Sequence, residues 1–125
     1  MILSFEEIEL LAFDPPHLGM PGLPCQAGRW EGDGRFVEIF LAVEDGRIVD
    51  AGFLTNMPGH GLVCASIYCD TVLRKTVEDA QALQEADILA LLPVPMREDA
   101  ALREIFACCV DAGVKSITAC PLRPE

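Results

Sequence analysis

Arg35-Phe36-Val37-Glu38-Ile39-Phe40-Leu41-Ala42-Val43-Glu44-Asp45-Gly46-Arg47-Ile48-Val49-Asp50-Ala51-Gly52-Phe53-Leu54-Thr55 is the stretch on which the fold turns. In its first half Val37, Ile39, Leu41 and Val43 alternate with Glu38 and Ala42, the period of two that sets successive side chains on opposite faces of a strand. Phe36 and Phe40 fall on the second face, so both faces are expected to be in use. Glu44-Asp45-Gly46-Arg47 contains the Asp-Gly pair favoured in tight hairpins, because both central residues there take positive φ. The extended pattern resumes from Ile48 to Thr55, and an antiparallel hairpin follows.

Working outward, a shorter strand around Gln26–Glu31, ahead of the Gly32-Asp33-Gly34 turn, completes a three-stranded meander. Ser4 with Glu7 three positions later forms a capping box ahead of apolar residues at helical spacing, which predicts a helix over 4–13. From Asp14 to Pro24, prolines and glycines are too dense for a helix or a central strand, so an ordered loop is expected. Beyond the hairpin, Leu62, Ala65, Cys69, Val72 and Leu73 recur at helical spacing through Arg74. Thr76-Val77-Glu78-Asp79 opens a short helix to about Leu83, and Asp87 to Leu91 supplies another turn or two before Pro93. Leu102, Ile105, Phe106, Cys109 and Val110 form the stripe of a last long helix. Glu98 and Asp99 suit the positive end of its dipole, and Gly113 is expected to end it. Residues 114–125 read as a short extended piece and a tail. The class is α+β, with an N-terminal helix, an antiparallel meander and several helices on one face of the sheet, in one domain spanning 1–125.

Composition narrows the function classes. With 51% hydrophobic and 23% charged residues the chain lies far from the disordered regime, and no run approaches the ~20 apolar residues of a membrane span. Glu6 and Glu7 stand where a secretory signal carries Lys or Arg, so a cytoplasmic protein is expected. Nine basic against twenty acidic residues give a net charge of −11, which repels phosphate backbones and anionic lipid, so neither nucleic acid nor membrane is expected as a partner. In a reducing compartment the six cysteines are core residues, metal ligands or reactive thiols rather than disulfides.

The order helix, Pro-rich loop, meander, helices resembles the NifU N-terminal domain and IscU, scaffolds of iron–sulfur cluster assembly, over about residues 4–112. Asp14-Pro15-Pro16-His17-Leu18-Gly19 looks like the Asn-Pro-Arg-Asn-Val-Gly loop after the family's first helix. Asp50-Ala51-Gly52-Phe53-Leu54-Thr55 is similar to its Asp-Ala-Lys-Phe-Lys-Thr strand. Lys75-Thr76-Val77-Glu78-Asp79-Ala80 resembles its Lys-Thr-Val-Asp-Glu-Ala, and Leu92-Pro93-Val94-Pro95 its Leu-Pro-Pro-Val-Lys segment. The resemblance implies a SufE/NifU-like fold and partners such as a cysteine desulfurase, or an Hsp70-class chaperone docking on Leu92-Pro93-Val94-Pro95. In such scaffolds three thiolates, helped by Asp or His, hold a transient [2Fe–2S] cluster. Here the first cysteine falls at Asp33, the carboxylate two positions on at Arg35, the second cysteine at Pro58, and the third at Asp99 or Glu98. The resemblance is therefore to a divergent member, and assembly of an iron–sulfur cluster through three thiolates is not expected.

One metal set remains open: Asp33 and Asp99 with His60 or Cys64, a harder donor set suited to iron(II), zinc or manganese. Each residue also has a plainer role. Asp99 is a first-turn acid, Asp33 a turn residue, His60 a solvated side chain, and Cys64 a small buried one. Cys64 lies one turn into a helix, where a thiol can be lowered toward thiolate. Cys69 and Cys109 belong to apolar stripes and are expected in the core. Cys25 is either a displaced first ligand or incidental, while Cys108 and Cys120 show no constellation. Two functions follow: an iron or cluster-biogenesis accessory, or a metal-free protein-interaction module with an exposed Leu92-Pro93-Val94-Pro95 loop. No enzyme is expected, for no Ser-His-Asp order, phosphate loop or catalytic carboxylate pair can be assigned beyond Asp33 and Asp99.

Overall fold

Strands β1 (Gln26–Gly32), β2 (Arg35–Glu44) and β3 (Arg47–Thr55) pair antiparallel in that order in the computed structural model, which describes residues 2–23 and 25–119. Both turns are Asp-Gly pairs at positive φ, Asp33-Gly34 at 53° and 75° and Asp45-Gly46 at 53° and 76°, the twist that brings neighbouring strands back together. The register stacks Trp30, Val37 and Thr55, then Gly28, Ile39 and Phe53, then Gln26, Leu41 and Ala51 on one face. That face meets helices α2 (His60–Val72) and α6 (Ala100–Ala119), and Val37, Ile39, Leu41 and Phe53 are fully buried there. On the other face Phe40 and Ala42 are also buried, while Arg29 lies 4.0 Å over the Phe36 ring and pairs with Glu31 and Glu38.

The first helix, α1 (Phe5–Phe13), has the expected reciprocal cap: Glu7 N–H donates to Ser4 Oγ at 3.1 Å and Ser4 N–H to Glu7 Oε1 at 2.8 Å. It buries Ile8 and packs on α2. The Pro-rich segment lashes to the β3 edge, with Gly19 N–H donating to the Phe53 carbonyl (2.8 Å) and Phe53 N–H to that of His17 (3.1 Å). Three short helices follow α2: α3 (Val77–Ala82), capped by Thr76, then α4 (Glu85–Leu89), starting two residues earlier than expected, and α5 (Val94–Arg97). No described helix is long and apolar enough to cross a membrane.

Two expectations need correction. Gly113 does not end α6, which runs on to Ala119, so 114–119 is helical rather than extended, and 120–125, with Cys120, lies outside the described residues. The glycine is a notch: a Cβ there would collide with the hydroxyl and ring of buried Tyr68 on α2. Nor is Leu92-Pro93-Val94-Pro95 an exposed loop. Leu92 is fully buried, and Arg97 Nε donates to its carbonyl at 2.7 Å, curling the segment into the turn of α5 so that only Val94 and Pro95 project.

A second close approach sets α6 on the sheet. Its backbone at Ala112, Lys115 and Ser116 sits directly over Gly28, where any side chain would overlap it. Ser116 Oγ then donates to the Gln26 carbonyl at 2.6 Å and accepts from Leu41 N–H at 3.2 Å, tying the helix to both strands.

Candidate functional site

The β1–β2 turn, the segment after β3 and the first turns of α6 meet at one corner. Asn56 joins the first two: its Oδ1 accepts from Phe36 N–H at 2.9 Å and its Nδ2 donates to the Gly34 carbonyl at 2.8 Å. Thr55 Oγ1 donates to the Phe36 carbonyl at 2.6 Å and accepts from Met57 N–H at 3.1 Å, which turns the chain sharply toward Pro58. An open depression of about 490 Å³ results, lined by Arg35, Asn56, Met57, Pro58, His60 and Ile105. Arg35 Nη2 stands 3.8 Å from Glu104 Oε2 on α6, with its guanidinium 5.8 Å from the Trp30 ring. The groups presented are a guanidinium, an imidazole, an amide and apolar side chains.

Each residue singled out from the sequence has a definite place. Asp33 is exposed at the tip of the β1–β2 turn. His60 is exposed as the first residue of α2 and lines the depression. Asp99 caps α6, its Oδ1 accepting from Ala101 N–H at 2.9 Å and Leu102 N–H at 3.3 Å. Cys64 is fully buried one turn into α2, and burial, with Cys109 and Asp99 adding to it, pushes its thiol far above the usual range. The thiolate considered for Cys64 is thus corrected, because desolvation outweighs whatever the helix N-terminus contributes. Among the described residues no three of His, Cys, Asp and Glu gather into a group that could hold a metal, so these four side chains are not drawn together.

The other thiols follow the same logic. Cys69 and Cys109 are core residues, with burial raising both. Cys25 precedes the Gln26 end of β1, whereas the depression is lined by Arg35, the pairing partner of Gly32 at the other end, on the order of 20 Å away at 3.3 Å per residue. It is therefore no displaced ligand of this corner. Cys108, which belongs to no motif of the chain, lies buried near Glu104 and Arg35, and burial raises its thiol too. Sequence reading also missed the Arg35–Glu104 pair and the Asn56 clasp, since each joins residues far apart in the chain with no shared motif.

The family described as "NifU-like N terminal domain" matches residues 29–113. No curated protein sequence matches the chain. Among solved structures, the N-terminal part of a nitrogen-fixing NifU-like protein from Brucella abortus is similar, with a TM-score of 0.68 and 18% identity over 89% of each chain. A candidate iron–sulfur cluster assembly scaffold protein for the SUF system from Fervidobacterium islandicum AW-1 is similar with a TM-score of 0.62 and 11% identity, over 91% of this chain and 99% of that one.

Proposed function

Because the chain belongs to the family of NifU-like N-terminal domains, we propose that it serves iron–sulfur cluster assembly as a divergent scaffold-like accessory that does not build a cluster on three thiolates. The observation that carries this reading is the chemistry of the corner. A cluster is a cargo that wants soft sulfur donors. Pro58 offers no donor, Arg35 places a cation beside Glu104, and the Asp99 carboxylate is engaged by the N-terminus of α6. The thiols of Cys64 and Cys108 are buried and held protonated. In this reading the protein performs no catalytic step. It offers the scaffold's shape to partners of the same pathway, a cysteine desulfurase foremost, and Val94 and Pro95 are what remains of the proposed chaperone-docking segment. Iron or zinc bound through His60 with Asp33 or Asp99 is a finer form of the proposal and requires those exposed side chains to swing together.

A second reading, a metal-free interaction module, is favoured by the Arg35–Glu104 pair, which gives the corner's charges partners without a metal. Anaerobic reconstitution with iron, sulfide and a cysteine desulfurase tests the first claim. The expected spectrum lacks the visible charge-transfer bands of a bound cluster, and a stable cluster at one equivalent overturns the thiolate-free reading. Binding to the desulfurase, measured on the same samples, tests the second. If neither the desulfurase nor a cluster-bearing scaffold is bound, the assembly role falls and the metal-free module stands.

A further inference from the structure

Away from the corner, a cavity of about 360 Å³ opens between α1, the Pro16-His17 segment and α2. Leu3, Leu11, Ile67 and Leu91 supply apolar walls, and the polar lining includes Ser66, Asp70, Glu7 and His17. Ser66 is the unusual member. It is only 1% exposed, yet its hydroxyl has no hydrogen-bond partner among the described residues. A helical hydroxyl ordinarily bonds back to the carbonyl four residues earlier, as Thr71 does to Ile67 at 2.7 Å. A buried polar group left unpartnered is costly, so one that lines a cavity marks where a ligand's polar atom belongs.

The charge of the lining narrows the ligand. Glu7 and Asp70 are carboxylates, His17 Nε2 stands 3.7 Å from Asp70 Oδ1, and among the described residues no Lys or Arg lines the cavity. Anions are disfavoured and a cation is favoured. Ser66 and Asp70 are four residues apart on α2, which sets their β-carbons about 5–6 Å apart, a span one ammonium group can bridge. The volume accommodates about a dozen non-hydrogen atoms at roughly 30 Å³ each, within the usual range of small-molecule pockets.

We propose that this cavity binds a small organic amine, its apolar body against Leu11, Ile67 and Leu91 and its ammonium donating to Ser66 Oγ and the Asp70 carboxylate. The site is independent of the corner at Arg35 and of the role in cluster assembly.

The test titrates 2-phenylethylamine, phenylacetate and 2-phenylethanol into the ¹⁵N-labelled full chain and follows amide shifts. The amine is expected to saturate with a Kd on the order of 0.1–1 mM, with shifts centred on residues 66–71 and 7–17, and the anion and alcohol at least about tenfold weaker. Asp70→Asn, at a side chain 82% exposed and so tolerated by the fold, is expected to weaken the amine about two- to fivefold, the range of a solvent-screened ion pair. Ser66→Leu, which fills the cavity, should abolish binding. If that variant does not fold, Asp70→Asn decides alone. No saturable shift with the amine, equal binding of the anion or alcohol, or an unchanged Kd in Asp70→Asn overturns the proposal. A Lys-bearing peptide binding more tightly than the free amine also overturns it, by reassigning the cavity to a protein partner.

Discussion

Gly28→Ala is the most demanding test of how α6 is seated. The added Cβ overlaps the Ala112 carbonyl oxygen and the Ser116 nitrogen and comes to 2.9 Å from the Lys115 carbonyl carbon. These are backbone atoms of a 20-residue helix, so no side chain can turn aside. The helix must retreat by on the order of 1 Å to restore contact distances. Overpacking of this kind costs about 1–3 kcal/mol. The retreat also stretches the Ser116 bonds to Gln26 and Leu41, each contributing about 0.5–1.5 kcal/mol. Against this, removing a glycine from a strand interior returns about 0.5–1 kcal/mol. The net expectation is a loss of about 2–3 kcal/mol. With an unfolding entropy of about 2.1 cal/mol/K per residue, that lowers Tm by about 8–12 °C for this chain. Thermal unfolding followed by circular dichroism, backed by urea titration, measures it. A Tm unchanged or raised by Gly28→Ala would refute the direct seating of α6 on β1.

Gly113→Ala should also destabilise, by about 1–2 kcal/mol, although alanine is intrinsically better by about 1 kcal/mol within a helix. Adding Tyr68→Phe should recover part of the loss, because the hydroxyl, which has no hydrogen-bond partner among the described residues, is the nearest atom in the clash, and a stabilised single variant would contradict the notch. Cys64, Cys69 and Cys109 keep their protons when folded, whereas the unfolded thiols ionise from about pH 9. The unfolded state then binds fewer protons, so stability is fully present below that pH and falls above it, by up to about 1.4 kcal/mol per pH unit for each thiol. A Tm that stays level between about pH 8 and 10.5 would remove this account. Leu92→Asp buries a charge in the core and should unfold the protein at ambient temperature, whereas Val94→Asp, at a residue 60% exposed, should change stability by less than about 0.5 kcal/mol. Comparable Tm values for the two would show that the α5 turn is wrongly placed. Asp99→Ala should cost about 1 kcal/mol as a lost helix cap, and full stability in that variant would leave its hydrogen bonds to Ala101 and Leu102 without consequence.

The meander was legible in the chain because its determinants are local: alternation from Val37 to Val43, two Asp-Gly turns, and a capping box at Ser4 each act within a few residues. Their order also carried the likeness to NifU and IscU that the family match bears out. Gly113 was misread as a helix stop because glycine ends helices by default, and only the ring of Tyr68, forty-five positions earlier in sequence, explains its place inside α6. Leu92 looked like part of a projecting Pro-rich loop until Arg97 folded its carbonyl inward. The same limit applies to the site. Sequence alone determined that position 58 offers no donor, since Pro58 has no polar side-chain atom in any fold. Tertiary structure decided the rest: which thiols are desolvated, that Arg35 finds Glu104, and that Ser66 lines a cavity without a hydrogen-bond partner among the described residues. Burial and pairing between distant residues are properties of packed surfaces, and no local pattern encodes them.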